Sequence, residues 1–72
     1  MEGRFTLREL REQQEWTQEK LAEIAEVDRQ VIQDIEAKIP VSWIIAARII
    51  VKVKNYLGNK AIEGLYIPQN QD

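Results

Sequence analysis

Four side chains near the middle of this 72-residue chain have the types and the spacing to make a patterned hydrogen-bonding surface: Arg29, Gln30, Gln33 and Asp34. Arginine offers a rigid fork of donors, each glutamine a donor beside an acceptor, and aspartate acceptors alone. Placed at 100° intervals, residues 29 to 38 put these four with Ala37 on one arc, while Val31, Ile32 and Ile35 gather on the other. Such a helix buries one face and presents the other for recognition. Catalysis is not suggested. The carboxylates Glu9, Glu12, Glu15, Glu19 and Glu23 recur beside Arg8, Arg11 and Lys20 as solvated, paired helix surfaces do. No Gly-rich phosphate loop and no nucleophile-and-base set is present, so an enzyme is not expected. The chain has no cysteine and no histidine, which excludes a disulfide scaffold, thiol chemistry and the commonest zinc sites. No cofactor is implied.

The elements that must position this surface can be read from a recurring device. An apolar residue precedes a helix N-cap and packs against the residue five places on. Phe5 precedes Thr6, with Glu9 completing a reciprocal capping box and Leu10 as the packing partner. Trp16 precedes Thr17, with Leu21 as partner and Gln18 and Glu19 in the first turn, where the helix dipole favours a carboxylate. Val27 precedes Asp28, with Ile32 as partner. The spacing predicts helices over about residues 6 to 14, 18 to 25 and 29 to 38. The second helix is expected to bury Leu21, Ala22, Ile24 and Ala25, and the small side chains of Ala22 and Ala25 allow a neighbouring helix to approach closely.

After Pro40, residues 42 to 57 read as a fourth helix capped by Ser42. The β-branched run "IIVKV" leaves a β-hairpin after residue 48 as the alternative. "KAIEGLY" reads as at best a short fifth helix, weakened by Gly64 and ended by Pro68. Residues 1 to 68 are expected to form one domain and residues 69 to 72 a mobile tail. The N-terminus lacks the apolar run of a signal peptide, and no stretch approaches the roughly 20 apolar residues of a membrane span. A cytoplasmic protein that does not meet a membrane is the expectation.

Net charge is −2, too little for a protein that coats nucleic acid by bulk electrostatics. Its distribution is uneven: residues 17 to 38 hold three basic and six acidic groups, whereas residues 39 to 60 hold four basic and none acidic.

A short capped helix, a tight turn and a second helix with a polar outward face form a helix-turn-helix, the arrangement that lays its second helix in the DNA major groove. "LRELREQQEWTQEKLAEIAEVDRQVIQDIEAK" resembles the helix-turn-helix core of the lambda-repressor-like (Cro/C1, or Xre) family. The likeness is most specific at Thr17-Gln18, Leu21-Ala22, Val27 and Ile35-Glu36, and extends over about 60 of the 72 residues. It implies an all-α, five-helix domain with its helix-turn-helix unit at residues 17 to 38, binding double-stranded DNA; a homodimer on a two-fold related site is expected because a single helix offers too few base contacts. By the same resemblance Arg29, Gln30, Gln33 and Asp34 face base edges, with Arg suited to guanine and Gln to adenine. Gln18 contacts a phosphate at a helix N-terminus, and Lys38 touches the backbone. Arg11 is implied to pair with Glu36. The chain departs from the family pattern in carrying Glu26 where glycine is common in the turn, Ala37-Lys38 where Asn-Gly is common, and Asp34 on the face that meets DNA.

Two further expectations concern partners. The fourth helix is apolar on nearly every side, a surplus that marks a subunit interface, and Trp43, Ile50, Val53 and Leu57 are the residues expected there. Arg48, Lys52 and Lys54 are flanking phosphate contacts or solubilising charges. The alternative to DNA binding is a protein-interaction module, an antitoxin or anti-regulator that holds a protein partner on the acidic second and third helices or on the apolar fourth. Asp34, Glu26 and the net −3 charge of residues 17 to 38 favour that reading, and, separately, the plain structural alternative for Arg29 is an ion pair with Glu26 across the turn.

Overall fold

The computed structural model describes residues 4–70. Its elements in chain order are β1 (Phe5–Thr6), α1 (Leu7–Gln13), α2 (Gln18–Ala25), α3 (Arg29–Glu36), α4 (Trp43–Leu57), a single 3₁₀ turn (Asn59–Ile62) and β2 (Leu65–Tyr66). The class is all-α, with four α-helices rather than five among the described residues.

Three of the helix starts are closed by side chains that the local sequence supplies. Thr6 Oγ1 accepts from Glu9 N–H at 3.1 Å while Glu9 Oε1 accepts from Thr6 N–H at 2.8 Å, a complete capping box. Thr17 Oγ1 accepts from Lys20 N–H at 3.0 Å, and Ser42 Oγ from Ile45 N–H at 3.3 Å. Asp28 occupies the cap position of α3 without making a side-chain cap hydrogen bond.

The first three helices stop in the same way. Each is followed by a residue in the left-handed region, Glu15 (φ 60°), Glu26 (φ 59°) and Lys38 (φ 66°). In each case the next residue's N–H reaches back five places: Trp16 to Arg11 C=O at 3.1 Å, Val27 to Ala22 C=O at 3.1 Å, Ile39 to Asp34 C=O at 2.9 Å. These are Schellman stops, ordinarily made with glycine. Left-handed backbone costs a side-chain-bearing residue about 1–2 kcal/mol, so the stops persist because packing over-determines them. Trp16 and Val27, each immediately after a stop and before a cap, pack against the core. One apolar residue thereby ends one helix and orients the next. The third stop shortens α3 to Glu36, two residues before its expected end, and leaves Lys38 outside the helix.

The core gathers Leu7 and Leu10 from α1, Leu21, Ala22 and Ala25 from α2, Ile32 and Ile35 from α3, Ala46, Ile49 and Val53 from α4, and Ile67 after β2. Ala46, Ile49 and Val53 stand at helical spacing, and α4 packs on α2 and on the 3₁₀ turn. That burial overrides the β propensity of the run, and the hairpin alternative after residue 48 is not what forms.

The C-terminal segment also differs from expectation. The short fifth helix is replaced by the 3₁₀ turn and an extended strap. Phe5 pairs with Leu65 and Thr6 with Tyr66 in parallel register, and Val41 bridges Gln69. Asn70 N–H donates to Val41 C=O at 3.0 Å, so residues 69 and 70, expected to begin a mobile tail, are tied to the chain ahead of α4. Residues 71 and 72 of that expected tail lie outside the described residues. The strap inserts Ile67, 4% exposed, between these two pairings. Among the described residues no helix is long and apolar enough to cross a membrane.

Candidate nucleic-acid interface

α2 and α3 are joined by a tight turn at residues 26–28, and the pair is braced from below by α1. Arg11 on α1 donates through Nε to Glu36 Oε2 at 2.6 Å and through Nη2 to Glu36 Oε1 at 3.2 Å. A third donor, Nη1, reaches Trp16 C=O at 2.8 Å. The side chains are 16% and 8% exposed, so this is a nearly buried, charge-assisted fork. Gln18, the first residue of α2, donates from Nε2 to the same Glu36 Oε1 at 3.0 Å. The carboxylate at the end of α3 therefore fixes the start of α2 and the end of α1 together.

Gln18 and Glu19 open α2, and their backbone amides have no intrahelical acceptor. The amide of Gln18 is held beside that N-terminus, a site suited to an anion. Lys38 is exposed beyond the other end of α3.

The four base-facing candidates stand in two parallel rows, because residues four apart share a helix face. Arg29 and Gln33 form one row, Gln30 and Asp34 the other. Arg29 Nη1 donates to Glu19 Oε2 on α2 at 3.0 Å. With the Gln33 amide turned so that its oxygen faces the guanidinium, Oε1 accepts from Arg29 Nη2 at 3.1 Å and from Nε at 3.0 Å. In the second row Gln30 Nε2 donates to Asp34 Oδ1 at 3.0 Å. The carboxylate holding Arg29 is thus Glu19, not Glu26, which instead accepts Lys52 Nζ from α4 at 3.3 Å. Sequence reading missed Glu19 because a ten-residue separation across a turn carries no periodic signal.

The residues expected at a subunit interface divide. Trp43 is 54% exposed, but Val53 is 0% exposed and belongs to the core of its own protomer. Its position in the register of Ala46 and Ile49 faces α2, which removes it from any interface. Ile50 and Leu57 are half-buried and pack against the core. The exposed apolar face of α4 is instead Trp43, Ala47 and Val51 in one row, with Ile44 beside them.

Among the described residues no cluster of three or more carboxylates stands where it could hold a metal ion. A capped helix, a Schellman turn and a second helix with its polar arc outward define a helix-turn-helix domain. A family model described as helix-turn-helix matches residues 7–42, and the chain belongs to that family, in its lambda-repressor-like Cro/C1 form. The family is one of DNA-binding transcription regulators and not of enzymes. No curated protein and no solved structure shows significant similarity to the chain.

Proposed function

We propose that this protein binds double-stranded DNA sequence-specifically as a homodimeric transcriptional regulator. The observation that carries the reading is the outward arc of α3, where Arg29, Gln30, Gln33 and Asp34 stand in two rows on a helix locked to α1 and α2 through Glu36. In this reading α3 enters the major groove with those four side chains at base edges. Gln18 meets a phosphate at the N-terminus of α2, and Lys38 meets another beyond α3, which together fix register.

One helix offers few base contacts, and two copies related by a two-fold axis would roughly sum theirs on half-sites about 34 Å apart. The exposed Trp43, Ala47, Val51 and Ile44 face supports such pairing, with Ile50 and Leu57 at its border. Selection of the protein against a randomised duplex library at moderate salt tests the proposal. An enriched inverted repeat is the expected result, and no enrichment by folded protein overturns it.

The acidic side chains Glu19 and Asp34 on the presented surface favour a second reading, a protein-binding module on the same scaffold. Under that reading Gln33→Ala leaves a protein complex intact, whereas under the first it abolishes sequence preference at one position.

A further inference from the structure

We infer that Glu19 is a positioning residue that sets base preference, by holding Arg29 so that the Arg29/Gln33 row presents donors alone and selects guanine. The inference rests on the DNA-reading proposal above and concerns which base that surface takes.

A free glutamine offers an acceptor and a donor side by side, the pair that matches N6–H and N7 of adenine. Gln33 is not free in that sense. With its amide in the orientation that satisfies both groups, Oε1 accepts from two nitrogens of Arg29, at 3.0 and 3.1 Å, which turns Nε2 away from the guanidinium. A guanidinium has five N–H donors. Three are engaged, two by Gln33 and one by Glu19 Oε2 at 3.0 Å, which leaves one on each terminal nitrogen. The row therefore offers Arg29 Nη–H and Gln33 Nε2–H and no acceptor. In the major groove guanine presents two acceptors, N7 and O6, whereas the N6 amino group of adenine would meet donor with donor.

The neighbouring row has the opposite character. One N–H of Gln30 Nε2 is given to Asp34 Oδ1, leaving Gln30 Oε1 and Asp34 Oδ2 as acceptors beside a single remaining Gln30 N–H, so the row is acceptor-rich. These acceptors suit the N4 amino group of cytosine, the partner base in the same pair. Donors beside acceptors complement a G·C pair as a unit, and this gives Asp34 a place on a surface that approaches phosphates. Glu19 is the residue that makes the first row one-sided. Without it, Arg29 is released toward the phosphates, and Gln33 regains its acceptor.

The test compares wild type with Glu19→Gln and Gln33→Ala in the randomised duplex selection, followed by affinities for duplexes differing at single base pairs. Thermal melts confirm that each variant is folded. Gln33→Ala locates the base pair that this row faces. Wild type is expected to prefer guanine there by about tenfold or more over adenine. Glu19→Gln is expected to lower that ratio by about three- to fivefold while other positions keep their preferences. Adenine selected by wild type at the Gln33-dependent position overturns the inference alone, as does an unchanged guanine preference in folded Glu19→Gln. No enrichment by folded wild type overturns the DNA-reading proposal and this inference with it.

Discussion

Glu36 at the end of α3 holds Arg11 of α1 in a two-bond fork, 2.6 Å at its shorter arm, with its carboxylate only 8% exposed. The first and last residues of the helix-turn-helix are joined there as well, because Gln18 donates to the same carboxylate. Leaving either charge alone in that setting is costly. Arg11→Ala is expected to destabilise the domain by about 3–5 kcal/mol, measured by urea unfolding. Against a total of about 5–15 kcal/mol this removes much of the folded population's margin. The double variant Arg11→Met/Glu36→Leu is expected to regain most of the loss, since no unpaired charge is then buried.

Among the described residues, three charged ones occupy left-handed backbone that glycine adopts freely. Lys38→Gly is expected to raise stability by about 1 kcal/mol, a melting temperature higher by about 4–8 °C. Glu26→Gly is expected to gain less, because it also removes the half-exposed pair with Lys52, of the kind worth about 0–1 kcal/mol.

Lys38→Ala separates phosphate contact from base reading. Under the proposed function its affinity for duplex falls about equally for all sequences, and the salt dependence of binding loses about one ion's worth of slope. A loss confined to one preferred base pair would contradict the assignment of Lys38 to the backbone.

The two sides of α4 respond differently to truncation. Ile49→Ala, at a fully buried position, is expected to cost about 2–5 kcal/mol in denaturant unfolding. Replacing Trp43 and Val51, 54% and 51% exposed, by serine leaves the protomer folded but shifts sedimentation from dimer to monomer. A wild-type protein that sediments as a monomer at high micromolar concentration removes the dimer from the proposal.

Wherever one residue and its near neighbours decide the outcome, the amino-acid sequence by itself determined this protein. Thr6 with Glu9, Thr17 and Ser42 cap their helices within three residues, and the apolar arc of α3 follows from its period. The pairing of Arg11 with Glu36 was legible only through family resemblance, since 25 residues separate them. Tertiary structure alone decided the rest. Periodicity could not say which apolar side of α4 would meet α2, and packing placed Val53 inside and Trp43 outside. Residues 65 to 70 became a strap because their backbone partners, Phe5, Thr6 and Val41, are distant in the chain and close only once the helices have assembled. Glu19 found Arg29 for the same reason. The α2–α3 crossing brings the first turns of two helices together, and long-range contacts of this kind exist only after the entropy of closing the intervening chain has been offset by the core.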